Sequence, residues 1–303
     1  MKVQSIAQWE IPDHLNGQRL QDALPELAKL YIPSRKGCKK AIERGRVQLN
    51  ECQGYTGDWV RTGDRIVLMP SELNNPQAFV CPKPPIAFMD EDLMVVWKKA
   101  GLFTSGNHAQ TLRSQIAQHF PSPNHPQALA QAEPIHRLDF PASGFIIFAR
   151  TQGAVQKLGQ AMEERRIEKS YWTVIHGLPA ELLDIRMPLA GQHAHTRASK
   201  LAKGTIPTQG DGALLEITLE TGRTHQIRKH LHALGHGVVG DEIYQRSAGR
   251  YHGHGLFLCA SGLTFQHPIH QNMLTFKADL PKKFRRMQWI RSAMADVSPT
   301  PLY

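Results

Sequence analysis

Hydrophobic positions along the chain switch repeatedly between strand-like runs and helical spacing, and the switches mark its elements. Gly144-Phe145-Ile146-Ile147-Phe148-Ala149 is a continuous apolar run with the length and aromatic and β-branched content of a buried strand. Leu215-Glu216-Ile217-Thr218-Leu219 alternates instead, which predicts a strand buried on one face. Residues 226–235 then read as a helix stopped by Gly235, with Thr224 as its N-cap. Nearer the start, residues 19–24 open a helix. Residues 34–45 form a second one with Ser34 as N-cap and Gly45 as terminator, and residues 47–50 and 63–68 are short strands. Residues 280–290 read as a terminal helix with Pro281 near its first position.

Residues 71–85 are rich in Pro and Asn and show no period, so they predict a semi-extended linker. A length of 303 residues then suits a small domain over 1–70 and a large one over 86–295, with 296–303 a frayed tail. A 41% hydrophobic content supplies a packed core. No apolar run approaches the ~18 residues of a membrane span, and the start has no secretory core, so a soluble, cytoplasmic protein without a membrane partner is expected. Cys38, Cys52, Cys81 and Cys259 are scattered without Cys-x-x-Cys spacing, which argues against a disulfide framework or a thiolate zinc site.

Charge narrows the class of partner. Lys and Arg total 36 against 26 Asp and Glu, a formal net charge of +10 that favours a polyanion over an acidic small molecule. The excess is concentrated on the 34–45 helix in Arg35, Lys36, Lys39, Lys40 and Arg44. Spacings of four place Arg35 with Lys39, and Lys36 with Lys40, on one flank. Lys282, Lys283, Arg285 and Arg286 form a second basic group, either facing the polyanion or solvated. Among the 16 histidines, His232 and His236 have a zinc-compatible spacing. They lack an intervening Glu and any nearby thiolate pair, so no metal is expected, and His225 reads as a hydrogen-bonding residue of the helix entry.

The chemistry points to Asp139. It stands at the mouth of the apolar strand, half sheltered, with turn residues Pro141 to Gly144 holding the backbone between them. Arg137, two residues away, lies on the same side if the segment is extended. The plain alternative is a loop in which Arg137 and Asp139 pair with each other. Arg228, one turn inside its helix, is a fixed guanidinium able to hold a carboxylate through a bidentate bond.

His136-Arg137-Leu138-Asp139-Phe140-Pro141-Ala142-Ser143-Gly144, followed by Thr221-Gly222-Arg223-Thr224-His225-Gln226-Ile227-Arg228-Lys229-His230-Leu231, resembles the signature of RluA-type pseudouridine synthases. Lys169-Ser170-Tyr171 resembles the family's Lys-x-Tyr strand. Residues 95–102, 235–241 and 258–268 fit its opening and closing elements, so the likeness runs over residues 86–280. Ala142, Gly237, Trp97 and Lys99 depart from the usual Thr, Pro, Asn and Pro. Residues 15–70 resemble an S4 RNA-binding domain, with Gln21 and Glu51 as departures.

The resemblance implies an α+β fold: a mixed, mostly antiparallel sheet with flanking helices, preceded by a small α/β S4-like domain. It implies isomerisation of uridine to pseudouridine in structured RNA, ribosomal RNA before transfer RNA, by a monomer without a cofactor. That reaction breaks the C1′–N1 bond, turns the uracil and rejoins it through C5, so one carboxylate suffices as nucleophile or base. By resemblance Asp139 is that carboxylate. Arg137 fills the stack vacated by the flipped base, Tyr171 is the aromatic platform, and Arg228 keeps Asp139 charged and aimed. A glycosidase or nucleosidase would want two facing carboxylates or a metal. A non-catalytic RNA-binding protein with a relic domain would have no need of all four residues.

Overall fold

The computed structural model describes residues 5–70, 82–106, 110–244 and 255–294. The expected tail, most of the expected linker and Cys81 lie outside them. The chain divides into two compact units, Met1–Lys83 with Ser105–Pro121, and Pro84–Thr104 with Ser122–Tyr303. The large unit thus gives up residues 105–121, which the boundary at 86 had assigned to it. The physical reason is local to the first unit, where Gln110 donates its side-chain amide to Gln53 O at 3.3 Å. Lys83 also lies 5.1 Å from the Phe120 ring centroid.

The first unit contains β1 (Ala7–Glu10), α1 (Leu20–Leu27), α2 (Arg35–Glu43), β2 (Val47–Leu49), β3 (Cys52–Gln53) and β4 (Arg65–Leu68), with the later α3 (Leu112–His119). Its strands form an antiparallel sheet in the order β1-β4-β2-β3. Ser34 caps α2 as expected, its Oγ accepting from Gly37 N at 3.0 Å, and Gly45 leaves the helix at φ +70°. The helix turns Cys38, Ala41 and Ile42 into a core shared with Leu20, Leu24, Val47 and Ile66. That burial leaves Arg35, Lys36, Lys39, Lys40 and Arg44 all exposed.

The second unit runs through β5 (Ile86–Met89), β6 (Leu93–Lys98), β7 (Ala128–Pro134), β8 (Ser143–Thr151), α4 (Gln152–Glu163), β9 (Glu168–His176), β10 (Leu182–Ile185), β11 (Thr196–Ile206) and β12 (Gly210–Leu219). It continues through α5 (Gln226–Ala233), β13 (Leu258–Gln266), β14 (Met273–Lys277), α6 (Lys282–Arg285) and α7 (Gln288–Ala293). Among the described residues the sheet has the order β10-β11-β12-β9-β13-β8-β6-β5, with β14 beside β13 and β7 beside β8. Every pairing is antiparallel except β8 with β13. This is the expected α+β architecture. β8 is central and buried along nearly its whole length, as its uninterrupted apolar run predicts.

The C-terminal helix is broken where a continuous one was expected. Phe284, Met287 and Ile290 are all buried, and a spacing of three walks around a straight α-helix. The break at Met287, which has extended backbone, lets all three face inward. Trp289 packs where a Cβ on Gly204 would stand, only 2.3 Å from its ring. Lys283 is not part of a basic surface. Its ammonium lies 5.3 Å from the Phe257 centroid and 5.9 Å from that of Phe284, and it donates to Leu256 O. Burial draws its pKa down to about 8. Arg285 is tied to Asp279 and to Leu280 O.

Candidate active site

One row of residues across the sheet organises the site. Lys98 on β6 pairs with Gly144 on β8, Gly144 with Ala260 on β13, Ala260 with Tyr171 on β9, and Tyr171 with Ile217 on β12. Gly144 has φ +138°, and a Cβ there would stand 2.4 Å from the Ala260 backbone oxygen. Glycine is therefore required for β8 to join β13 just after the Asp139 turn.

The Asp139 backbone is held on both sides. Leu138 N donates to the Thr104 hydroxyl at 3.2 Å, and that hydroxyl lies 3.4 Å from Leu138 O. Phe140 O accepts from Gly101 N at 2.8 Å and from the Lys98 ammonium at 3.2 Å, while Ala142 N closes a turn onto Asp139 O at 3.1 Å. Lys98 is fully buried and also donates to Leu102 O at 2.7 Å and Lys99 O at 3.2 Å. Burial draws its pKa down to about 7, opposed by the charge of Asp139. His136 accepts from Ile147 N at 3.2 Å, and burial, reinforced by Lys169, lowers its pKa to about 3, so the ring is neutral.

Arg228 enters from α5 with its side chain 2% exposed. Its bidentate partner is Asp241, not Asp139: Nε and Nη2 each donate at 2.7 Å to the two oxygens of Asp241. The remaining terminal nitrogen, Nη1, lies 3.4 Å from Asp139 Oδ2. Asp241 also accepts from Ile243 N at 2.9 Å and Tyr244 N at 3.0 Å. The Tyr244 ring centroid lies 5.1 Å from the guanidinium carbon, a cation–π contact. Gly240, at φ +76°, makes the close turn into Asp241, where a Cβ would stand 2.1 Å from Gly255 O.

Thr224 is not the helix cap. His225 occupies that position in the left-handed region at φ +56° and makes no side-chain cap bond. Buried Gln226 braces the entry instead: its Oε1 accepts from Arg223 N at 3.0 Å and the Thr221 hydroxyl at 2.7 Å, and its amide donates to His195 O at 3.0 Å. His225 Nδ1 lies 3.0 Å from the Tyr244 hydroxyl, and its Nε2 lies 3.8 Å from Asp139 Oδ1.

Tyr171 is 7% exposed, and among the described residues its hydroxyl has no hydrogen-bond partner. Burial, and then the charge of Asp139, push that hydroxyl well above the usual phenol range, so it stays protonated. Arg137 is exposed and makes no ion pair among the described residues, which removes the loop in which it pairs with Asp139. Asp139 and Arg228 thus meet directly, Tyr171 lies within reach of the Asp139 charge, and Arg137 projects to solvent.

His230, His236 and His267 are engaged elsewhere. Buried His230 uses Nδ1 on Thr196 Oγ1 at 3.0 Å and Nε2 on Met187 O at 2.8 Å, and His236 Nδ1 lies 3.0 Å from His176 O. Asp90, His267 and His270 cluster with ligand atoms within 4.8 Å of one another. Both ring nitrogens of His267 are occupied, however. Nε2 lies 2.7 Å from Asp90 Oδ2, and Nδ1 accepts from Ile269 N at 3.2 Å and His270 N at 3.0 Å, the arrangement of a turn brace.

Sequence reasoning passed over Lys98, Asp241 and Tyr244. Lys98 carried one signal, a cation ending the buried run of β6. Asp241 carried its place at the end of the 235–241 stretch of the resemblance, but nothing that named its partner, which lies a helix and a loop away.

A guanidinium locked by one carboxylate and facing a second, set on a mixed sheet beside a buried tyrosine, defines a site for carboxylate chemistry. The family model described as RNA pseudouridylate synthase matches residues 92–233. The chain belongs to the RNA pseudouridine synthases, isomerases acting on uridine in RNA, and within them to the RluA type. It is 33% identical over 210 residues to the dual-specificity RNA pseudouridine synthase RluA of Escherichia coli O157:H7, covering 64% of this chain and 91% of that protein. It is 29% identical over 257 residues to the ribosomal large subunit pseudouridine synthase D of Nitrosomonas europaea, covering 78% and 72% respectively. Among solved structures, human RNA pseudouridylate synthase domain containing 1 shares the fold, with a TM-score of 0.55 at 24% identity over 78% of this chain and 93% of that one.

Proposed function

We propose that Asp139 is the carboxylate that carries the isomerisation and that the substrate is large-subunit ribosomal RNA. The observation that carries the role of Asp139 is its contact with Arg228. The guanidinium is fixed by Asp241 and offers Asp139 one further N–H, so the carboxylate is aimed yet keeps lone pairs for chemistry. The name of the Nitrosomonas europaea relative supports ribosomal RNA as the target. Mapping pseudouridines with and without the gene tests this, and a site lost from transfer RNA alone would replace it.

Arg137, exposed beside Asp139 and in no ion pair among the described residues, suits the filling of the stack left by an extruded uracil, while buried Tyr171 suits contact with the flipped base. Arg137→Ala is expected to slow single turnover most on folded RNA and least where the target uridine is already unpaired. Tyr171→Phe keeps the ring and should lose rate equally on both. Equal penalties for Arg137→Ala on the two RNAs would make Arg137 a clamp on phosphate instead.

The first unit, S4-like in sequence, supplies affinity through the exposed cations of α2. Replacing Lys36, Lys39 and Lys40 by Ala should weaken binding and flatten its salt dependence, by about 0.7–0.9 in the log–log slope for each phosphate no longer neutralised. An unchanged slope would leave α2 a solvated face.

A further inference from the structure

We propose that His225 is a positioning residue for Asp139: held by Tyr244 at its Nδ1, it presents its Nε2 proton to the carboxylate oxygen that Arg228 leaves free. This rests on Asp139 being the catalytic carboxylate.

Two contacts bracket that carboxylate from one end of α5. Arg228 faces Oδ2 at 3.4 Å, and His225 Nε2 faces Oδ1 at 3.8 Å. The tautomer follows from the neighbours. The Tyr244 hydroxyl can donate to Nδ1 at 3.0 Å, which leaves the proton of a neutral imidazole on Nε2, toward the anion. At 3.8 Å the contact is an approach and not yet a hydrogen bond, as suits a group that tightens on substrate binding.

The backbone agrees. His225 is held at φ +56° without any cap bond in return. Such a conformation costs a non-glycine residue free energy and persists where the surroundings demand it. Here the demand comes from Gln226 on one side and from Tyr244 on the other. Tyr244 is itself placed by Asp241, which binds its N–H, and by Arg228 beneath its ring. The pair His225–Tyr244 is thus built from the same Asp241–Arg228 anchor that aims Asp139.

Asp139, Arg228, Lys229, Asp241 and Tyr244 are the charged and titratable groups facing His225, and the His232 ring lies 6.3 Å from that of Tyr244. Burial lowers the His225 pKa from its ordinary value. Asp139 and Asp241 oppose that, and Arg228 and Lys229 add to it. The ring is neutral at neutral pH and gains its second proton only below the ordinary imidazole range. That proton goes to Nδ1, which then donates to the Tyr244 oxygen in place of accepting from it, and turns the approach to Asp139 into an ion pair. Catalysis should therefore fall on the acid side as His225 titrates.

The test is single-turnover rate and RNA affinity, across pH, for His225→Leu, His225→Gln, Tyr244→Phe and His225→Gln/Tyr244→Phe, with Asp139→Asn alongside. Gln places an amide N–H where Nε2–H was and does not titrate. His225→Leu should lose roughly 10- to 100-fold in rate with RNA affinity kept, the scale expected for a misplaced reacting group. His225→Gln should recover most of that rate and change the acid limb of the profile. Tyr244→Phe should slow the parent but not the His225→Gln background, where no tautomer needs fixing. This last comparison decides the matter even if the leucine variant fails to fold. Full activity in His225→Leu, an unaltered acid limb in His225→Gln, or equal effects of Tyr244→Phe in both backgrounds would overturn the proposal. Turnover by Asp139→Asn would instead overturn the assignment of Asp139.

Discussion

Asp139→Asn is expected to abolish isomerisation, by at least about 10⁴-fold, while RNA affinity and folding stay near those of the parent. The amide has the shape of the carboxylate but cannot act as nucleophile or base. The fold should tolerate it for a reason the structure supplies. Arg228, buried at 2% exposure, keeps its bidentate partner Asp241 when the Asp139 charge is gone. Had Asp139 been the only carboxylate on that guanidinium, the same substitution would have stranded a buried cation. Release of tritium from uracil-C5-labelled RNA reads the reaction directly, because C5 exchanges its hydrogen for the bond to C1′. Turnover by the variant comparable to the parent would remove Asp139 from the chemistry.

Asp241→Ala should have the opposite profile, losing stability as well as activity. It removes both acceptors of Arg228 Nε and Nη2 and the acceptor of Ile243 and Tyr244 N–H. Breaking one partner of a buried pair costs about 3–5 kcal/mol, because the surviving charge is left without compensation. For a unit of this size that corresponds to a fall of roughly 10 °C in the melting midpoint. The pH dependence has a definite sign. Burial alone would raise the Asp241 carboxyl, but the hydrogen bonds and charge of Arg228, with those two backbone N–H groups, hold it below the ordinary carboxylate range. A depressed carboxylate contributes stability above its unfolded pKa and loses it as pH falls through the folded one. The difference in stability between parent and Asp241→Ala should therefore be full at neutral pH and shrink only in strong acid. Denaturant melts from neutral to strongly acidic pH check this. An unchanged midpoint at pH 7 would mean that Asp139 alone suffices to hold Arg228.

Much of the molecule was legible in the chain because the physics involved is local. The apolar run of β8, the alternation leading into α5, the Ser34 cap and the Gly45 stop each depend on neighbours within one element. The motif around Asp139 and that around Arg228 pointed to a carboxylate and a guanidinium that should meet, and they do. How they meet was a tertiary decision. Bidentate geometry is a property of Arg228, but which carboxylate receives it depends on where the turn after Gly240 falls, and that turn is set by its packing on Gly255. Likewise Thr224 had the right side chain for a cap. The cap position nevertheless falls on His225, because buried Gln226 satisfies the entry from inside and Tyr244 holds the imidazole. Lys283 looked like surface in a basic stretch and is drawn inward, since its stem and ammonium find the Phe257 and Phe284 rings and a carbonyl to bind. Sequence determined most of the elements and the class of protein, and it named the side chains proposed for the chemistry. Only the sheet register, which sets Lys98, Gly144, Ala260 and Tyr171 in one row, and the packing of α5 against the Asp241 turn decided which of those residues touch. Side-chain type can be read along a chain, but pairing partners separated by a helix and a loop are chosen by the packing that brings them together.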